Sequence, residues 1–311
     1  MEFFHKVPHI NFLGVRKLAM GMSIVVLLAA IASLAVRGLN FGVDFTGGVT
    51  VQVAYPASVD LKEVRGALAA GGFENAIAQN YGTPQEVLIR LQTAKGESDK
   101  DAGNKVLLAL QKASPGVKLE QVNFVGPEVG KDLATKGALA FAVTLFGILI
   151  YIVLRFEWRL ALGAVAATLH DVVFVVGFFS LLHIEFDLNV LASVLAVMGY
   201  SVNDTVVVFD RIREDFRKMR KGTPIEIMNA AINETLSRTI MTSGVTLLVV
   251  IALLILGGPI LHGFSLALFV GIIVGTYSSI YIASATALML GVSKSDLMPT
   301  RKDGQPVDDM P

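Results

Sequence analysis

Six apolar runs decide what this chain can become. They cover residues 18–36, 137–154, 160–182, 188–209, 239–256 and 264–290. Each is close to the roughly 20 residues that cross about 30 Å of hydrocarbon as a helix. Lipid offers no water to exposed N–H and C=O groups, so such runs form helices. The composition agrees: 53% of the 311 residues are hydrophobic and 17% are charged, where soluble domains carry nearer a quarter. The expected fold is an α-helical polytopic membrane protein with six transmembrane helices. The first run follows a polar leader, residues 1–17, and AIASLA within it offers a weak signal-peptidase pattern. At 18–36 it exceeds the roughly 7–15 residues of a signal-peptide core, and it is read as an uncleaved first helix.

Between the first two runs, residues 37–136 change character. Charged residues return and apolar residues become periodic. Residues 50–55 (TVQVAY) alternate as a strand does, 61–70 have helical spacing, and Gly71-Gly72 stops them. Residues 76–80 and 86–92 read as strands around a turn at 82–84, residues 100–113 as a helix, and 117–125 as a last strand. The order β-α-β-β-α-β is that of a ferredoxin-like α+β domain. Hinge segments flank it. Gly42, Gly47 and Gly48 in GVDFTGG suggest a tight turn, with Asp44 either capping that turn or ligating an ion. Gly126, Pro127 and Gly130 in GPEVG form the second hinge.

Lysine and arginine set the expected orientation. The leader holds Lys6, Arg16 and Lys17, and the loop after the second helix holds Arg155 and Arg159. The connection 210–238 is richly basic, and the tail 291–311 holds Lys294, Arg301 and Lys302. The opposite short loops, 183–187 and 257–262, hold neither residue type. Both termini are thus expected in the cytoplasm and the sheet domain outside it. Within the connection, 216–231 places apolar and basic residues in helical order. It reads as a surface helix or a docking face.

Chemistry-bearing side chains inside the apolar runs are few. Asp204, beside Asn203, lies where a charge is costly and faces protein or a water path. Arg238 opens the fifth run at a comparable depth and is its natural cation. A carboxylate alternating between burial alone and contact with arginine can take up and release a proton. A static pair, or an Arg238 that reaches the headgroups, stays open. His170 and Asp171 lie midway along the third run. Adjacent helical residues point about 100° apart, so they are not expected to form one two-residue site, and an inter-helix hydrogen bond is the plainer role. Thr205, Thr239, Thr242, Ser243 and Thr246 are expected to bond between helices, and Gly271 with Gly275 to pack closely. The chain has no cysteine. It also lacks nucleotide-binding, zinc-protease and serine-hydrolase motifs. No cofactor, metal, covalent catalysis or nucleic-acid partner is expected. Any work is expected to draw on the membrane potential, about 2.3 kcal/mol per charge per 100 mV.

Four separated motifs resemble the SecD/SecF family of protein-export membrane proteins, in the RND superfamily. They are FGVDFTGG at 41–48, GPEVG at 126–130, GYSVND at 199–204 with DRIRE at 210–214, and SRT at 237–239. The resemblance implies half of an RND-type bundle and an inner-membrane accessory subunit. That subunit pairs with SecD and associates with the SecYEG channel, with YajC and YidC as further partners of the family. It uses the proton-motive force to complete preprotein export after ATP-driven insertion by SecA. It also implies that Asp204 and Arg238 conduct protons, with a further carboxylate from SecD. A purely structural subunit, or half of a small-molecule exporter, is the alternative.

Overall fold

The computed structural model describes residues 8–74, 76–91, 99–219 and 221–297. Among the described residues, six helices are long and apolar enough to cross a membrane. A 3₁₀ turn leads into α1 (Arg16–Arg37). Then follow β1 (Asn40–Phe41), α2 (Val43–Thr46), β2 (Gly48–Ala54), α3 (Leu61–Ala70), β3 (Ile77–Tyr81), β4 (Thr83–Leu91), α4 (Asp99–Ala113) and β5 (Lys118–Val125). The remaining elements are α5 (Pro127–Arg155), α6 (Trp158–Leu181), β6 (Glu185–Phe186), α7 (Leu188–Lys218), α8 (Pro224–Leu256), α9 (Gly258–Ser278), a π-helical turn (Ser279–Ala283), α10 (Ser284–Met289) and α11 (Lys294–Leu297).

The helices outrun the apolar runs because caps, not hydropathy, stop them. Asp187 starts α7 by accepting from the Val190 N–H at 2.8 Å. Gly126 and Pro127 start α5 well before its apolar stretch. The expected surface helix over 216–231 does not form. Gly222 has φ +127°, outside the helical region, and Thr223 with Glu226 closes a capping box around Pro224. The segment therefore splits into the end of α7 and the start of α8. Phe216, Ile227, Met228 and Ala231 pack there against Leu13 and Ile212 in a buried core, instead of on a membrane surface. Asn229 and Asn233 hold the leader to α8. Asn233 accepts from the Ile10 N–H at 2.9 Å and donates to its carbonyl at 2.8 Å.

Helices α6, α7 and α9 form the buried centre, whereas α1, α5 and α8 leave most of their apolar surface uncovered. The α7–α9 seam is close because it is built on glycine. A Cβ on Gly271 would overlap a Val197 methyl, and one on Gly275 would stand 3.1 Å from Ser201 Cβ.

The sheet order is β3-β4-β2-β5, antiparallel throughout, as the ferredoxin-like arrangement requires. Val49, Val51 and Val53 pair with Leu91, Ile89 and Val87 and face α3 and α4 through Val64, Leu68, Val106 and Leu110. The opposite face is also covered: Thr50, Gln52, Leu88 and Arg90 are all buried. That face looks onto the bundle, where β1 and β6 join as a two-stranded parallel ladder.

Candidate functional site: a polar layer in the bundle and a clamp beneath the sheet

Burial and hydrogen bonds place the polar membrane residues in two tiers on one face of α7. The tier nearer the sheet centres on Asp171, which is 0% exposed. Its Oδ1 lies 2.9 Å from His170 Nδ1, and its Oδ2 accepts from the hydroxyls of Ser201 on α7 and Ser278 on α9, the latter at 2.7 Å. His170 and Asp171 thus do form one two-residue site. The helical offset separates their Cβ atoms, but the imidazole is long enough to bend back to its neighbour. His170 sits between the rings of Phe174 and Tyr277, at 6.2 and 6.3 Å. Tyr277 is anchored to α1, donating to the Ala19 carbonyl at 2.8 Å with Ser23 Oγ at 3.0 Å.

One turn nearer the termini lies Asp204, 3% exposed. Its depth follows from a register. The Tyr200 hydroxyl donates to Ser243 at 3.1 Å, and Ser243 meets Thr276 at 2.8 Å, which ties α7, α8 and α9 together. Because α7 and α8 are antiparallel, stepping four residues on each brings Asp204 level with Thr239. Asp204 Oδ2, Thr205 Oγ1 and Thr239 Oγ1 are all buried without a hydrogen-bond partner among the described residues. Arg238 acts on Asp204 electrostatically, yet no ion pair within 4.0 Å joins them among the described residues. Arg238 and Asn203 are instead exposed on the side of the bundle. Thr242 and Thr246, expected to bond between helices, bond the backbone of their own helix, at the Arg238 and Thr242 carbonyls.

At the termini side, the charges after Asp204 are paired. Arg155 grips both carboxylate oxygens of Asp210 at 2.7 Å, and Arg211 contacts Glu214, Asp215 and Glu234. There α5 and α8 bring counter-charges to α7 at the exposed end of the bundle.

At the sheet side, the two glycine hinges dock on each other. A Cβ on Gly130 would lie 2.8 Å from the Gly47 nitrogen, and one on Gly48, at φ +132°, would lie 2.6 Å from the Leu91 carbonyl oxygen. Asp44 accepts from the Leu188 N–H at 3.1 Å, so it caps the first turn of α7 across the chain. Arg90 reaches from β4 to Glu185 at 3.0 Å and to the Phe41 carbonyl at 2.8 Å. Gln79 donates to Glu185 at 2.8 Å. Around this clamp lies a cavity of about 520 Å³ lined by Asp44, Tyr81, His183, Glu185, Asp187 and His262, among others. Burial raises the Glu185 carboxyl even though Arg90 pulls the other way, and it raises Asp187 against the backbone N–H groups of α7. Burial, then Glu185 and Asp187, push the Tyr81 phenol up to about 12.

Sequence reasoning missed Ser201, Ser278 and the Arg90–Glu185 clamp. A signal existed for Ser201, three residues before Asp204 on the same helical face. None existed for Arg90, which reads as an ordinary charge in an alternating strand.

Fold and site together define a multi-pass membrane protein with a membrane-embedded carboxylate–imidazole network and one ferredoxin-like domain. A family profile described as "Protein export membrane protein SecD/SecF, C-terminal" matches residues 105–293, and one described as "SecD/SecF GG Motif" matches 32–55. A Protein translocase subunit SecF of Vibrio alginolyticus is 50% identical, covering 97% of both chains. One of Pseudomonas aeruginosa is 45% identical over 98% of this chain and 99% of its own. The crystal structure of SecDF, a translocon-associated membrane protein from Thermus thermophilus, superposes with a TM-score of 0.80 at 36% identity. That match covers 91% of this chain but 39% of the SecDF chain. The chain belongs to the SecD/SecF family.

Proposed function

We propose that this chain is an accessory subunit of Sec-dependent protein export that works with SecD and couples proton movement at Asp204 to motion of the sheet domain. The export role is supported by the relatives, which are protein translocase subunits, and by the likeness to SecDF.

The observation that carries the proton role is the isolation of Asp204. It is buried, its Oδ2 has no hydrogen-bond partner, and no cation forms an ion pair with it among the described residues. An ionised carboxylate left so costs several kcal/mol. Two arrangements relieve that cost: a neutral acid apart from Arg238, or an ion pair with it. Passing between them shifts α8 against α7. Arg238 and Asn203, exposed at membrane depth, favour a partner surface there, and SecD with a carboxylate of its own fits that need. The lysine and arginine distribution favours cytoplasmic termini in the inner membrane, with the sheet domain on the export side. SecYEG, YajC, YidC and translocating preproteins are the further partners of this reading. Membrane lipid covers much of α5, and no covalent catalysis or cofactor is involved.

The test uses Asp204→Asn and Arg238→Met, each with SecD, in inverted membrane vesicles under an imposed gradient. Both are expected to lower gradient-stimulated export and proton flux at least tenfold. Wild-type flux and export in both variants would sink the coupling role. Normal export in Asp204→Asn, with loss on deletion of the chain, would point to a structural subunit.

A further inference from the structure

The Asp171 tier is not accounted for by a path that consists of Asp204 and Arg238. We infer that Asp171, with His170, is a second proton-binding site in series with Asp204, and that the Ser201 hydroxyl links the two. The inference rests on the proposal that Asp204 carries protons.

Three observations bear on it. First, position: Asp171 lies 13 residues from Trp158 and 10 from Leu181 on α6, roughly 20 and 15 Å from its ends at 1.5 Å per residue. That is the middle of the bundle, and the carboxyl is fully buried. Second, chemistry: two serine hydroxyls and an imidazole converge on it. An asparagine would fix the same helices through the same serines without a titratable group. The carboxyl–imidazole pair adds the ability to bind and release a proton. Third, continuity: Ser201 precedes Asp204 by one turn on the same face of α7. Beyond it, Asp204 Oδ2 and Thr205 Oγ1 are buried and unpartnered among the described residues. Such atoms are normally satisfied by water.

The transfer balances with O–H bonds alone. With Asp171 protonated, the Ser201 hydroxyl turns from Asp171 Oδ2, to which it donates in the structure, toward a water; its oxygen then accepts the Asp171 proton as it releases its own to that water. That water passes one proton to the Asp204 carboxylate. Asp171 ends ionised, held by the Ser278 hydroxyl and the His170 N–H, and Asp204 ends neutral. Among the described residues the titratable group in contact with Asp171 is His170 on its own helix; Tyr277 of α9 flanks that imidazole, and Asp204 lies one turn past Ser201 on α7. Among the described residues the only ion-pair partner of Asp171 is His170. The π-helical turn that follows Ser278 lies directly beside the tier. Such turns recur at functional sites because they locally widen a helix.

The test is proton flux in proteoliposomes holding the full chain with SecD, read with an internal pH dye under an imposed gradient. Asp171→Asn is expected to lower flux at least tenfold and Ser201→Ala about three- to tenfold, with Asp171→Glu restoring part of the loss. In infrared difference spectra, Asp171→Asn is expected to remove a carboxylic-acid C=O band distinct from the one lost in Asp204→Asn. Wild-type flux in Asp171→Asn with a silent Asp204→Asn would overturn the inference alone. Wild-type flux in Asp204→Asn would overturn the underlying proposal, and this inference with it. If Asp171→Asn does not accumulate, Ser201→Ala decides: unchanged flux there rejects the series path.

Discussion

Replacing Arg90 with alanine tests whether the clamp holds the sheet on the bundle. Arg90 is 8% exposed and makes three contacts across the boundary: Glu185 at 3.0 Å, the Phe41 carbonyl at 2.8 Å and Asn40 Oδ1 at 3.3 Å. Both members of the ion pair are well under a third exposed, so solvent screening removes little of the effect. The pair itself adds little net stability, since the cost of taking both charges out of water offsets most of their attraction. Breaking it is another matter, because removing Arg90 leaves Glu185 a buried carboxylate with the Gln79 amide but without its counter-charge, at about 3–5 kcal/mol. Glu185 can take a proton and soften the loss, so the lower end, about 3 kcal/mol, is the expected cost. At 1.4 kcal/mol per decade, that raises the undocked population roughly 150-fold. The chain has no cysteine, so a single Thr50→Cys on the covered sheet face reports undocking by maleimide labelling. Labelling is expected to rise by about two decades in Arg90→Ala, with the partner subunit present. An unchanged rate would refute the clamp.

Two further outcomes follow from the same geometry. The docked arrangement binds protons at Glu185 and Asp187 more tightly than an undocked, solvated one, because both carboxyls are raised. Their contribution is therefore full below the ordinary carboxylate range and is lost as pH rises through their raised values. Maleimide labelling of the Thr50→Cys variant, normalised to denatured protein, should accelerate from pH 4 toward 7, and Glu185→Gln should flatten that slope. In the seam between α7 and α9, Gly271→Ala drives a methyl into Val197 and should cost about 1–3 kcal/mol. Adding Val197→Ala should recover most of that loss in detergent melting, and failure to recover would place the strain elsewhere.

Much of this architecture is legible in the sequence because hydrocarbon and the strand period are strict readers. The apolar runs give the helices, and TVQVAY and VKLEQVNFV give strands within two residues of β2 and β5. Helix ends are less legible. Gly222 and Pro224 divide the connection after α7, but the amphipathic pattern runs straight across them. Site geometry is legible only in part. Asp204 announces itself as a charge in lipid, whereas whether Arg238 reaches it depends on a rotamer and a helix shift that no spacing encodes. His170 and Asp171 mislead for a related reason: the 100° rule describes Cβ directions, and the longer side chain overrides it. Arg90 is silent in sequence, because burial of a sheet's second face is a property of docking.

The clamp and the polar layer meet in one element. Helix α7 starts under the sheet, where Asp187 and Asp44 cap it and Glu185, two residues earlier, is held by Arg90. It then carries Ser201 and Asp204 through the bundle without a break to Lys218, and Arg211 on its last turns is tied to Glu234 of α8. A continuous helix of 31 residues spans about 46 Å at 1.5 Å per residue. It transmits a tilt or a slide with little loss, because its backbone hydrogen bonds would have to break for it to bend sharply. On the proposed reading, a change of partner at Asp204 therefore need not travel through a chain of side chains to move the sheet domain. It acts on the helix whose other end the domain grips. That reading makes Arg90→Ala more than a stability variant. With the clamp open and both carboxylates intact, proton flux should persist while gradient-stimulated export falls. A parallel loss of both would mean that the sheet domain gates the proton path as well as using it.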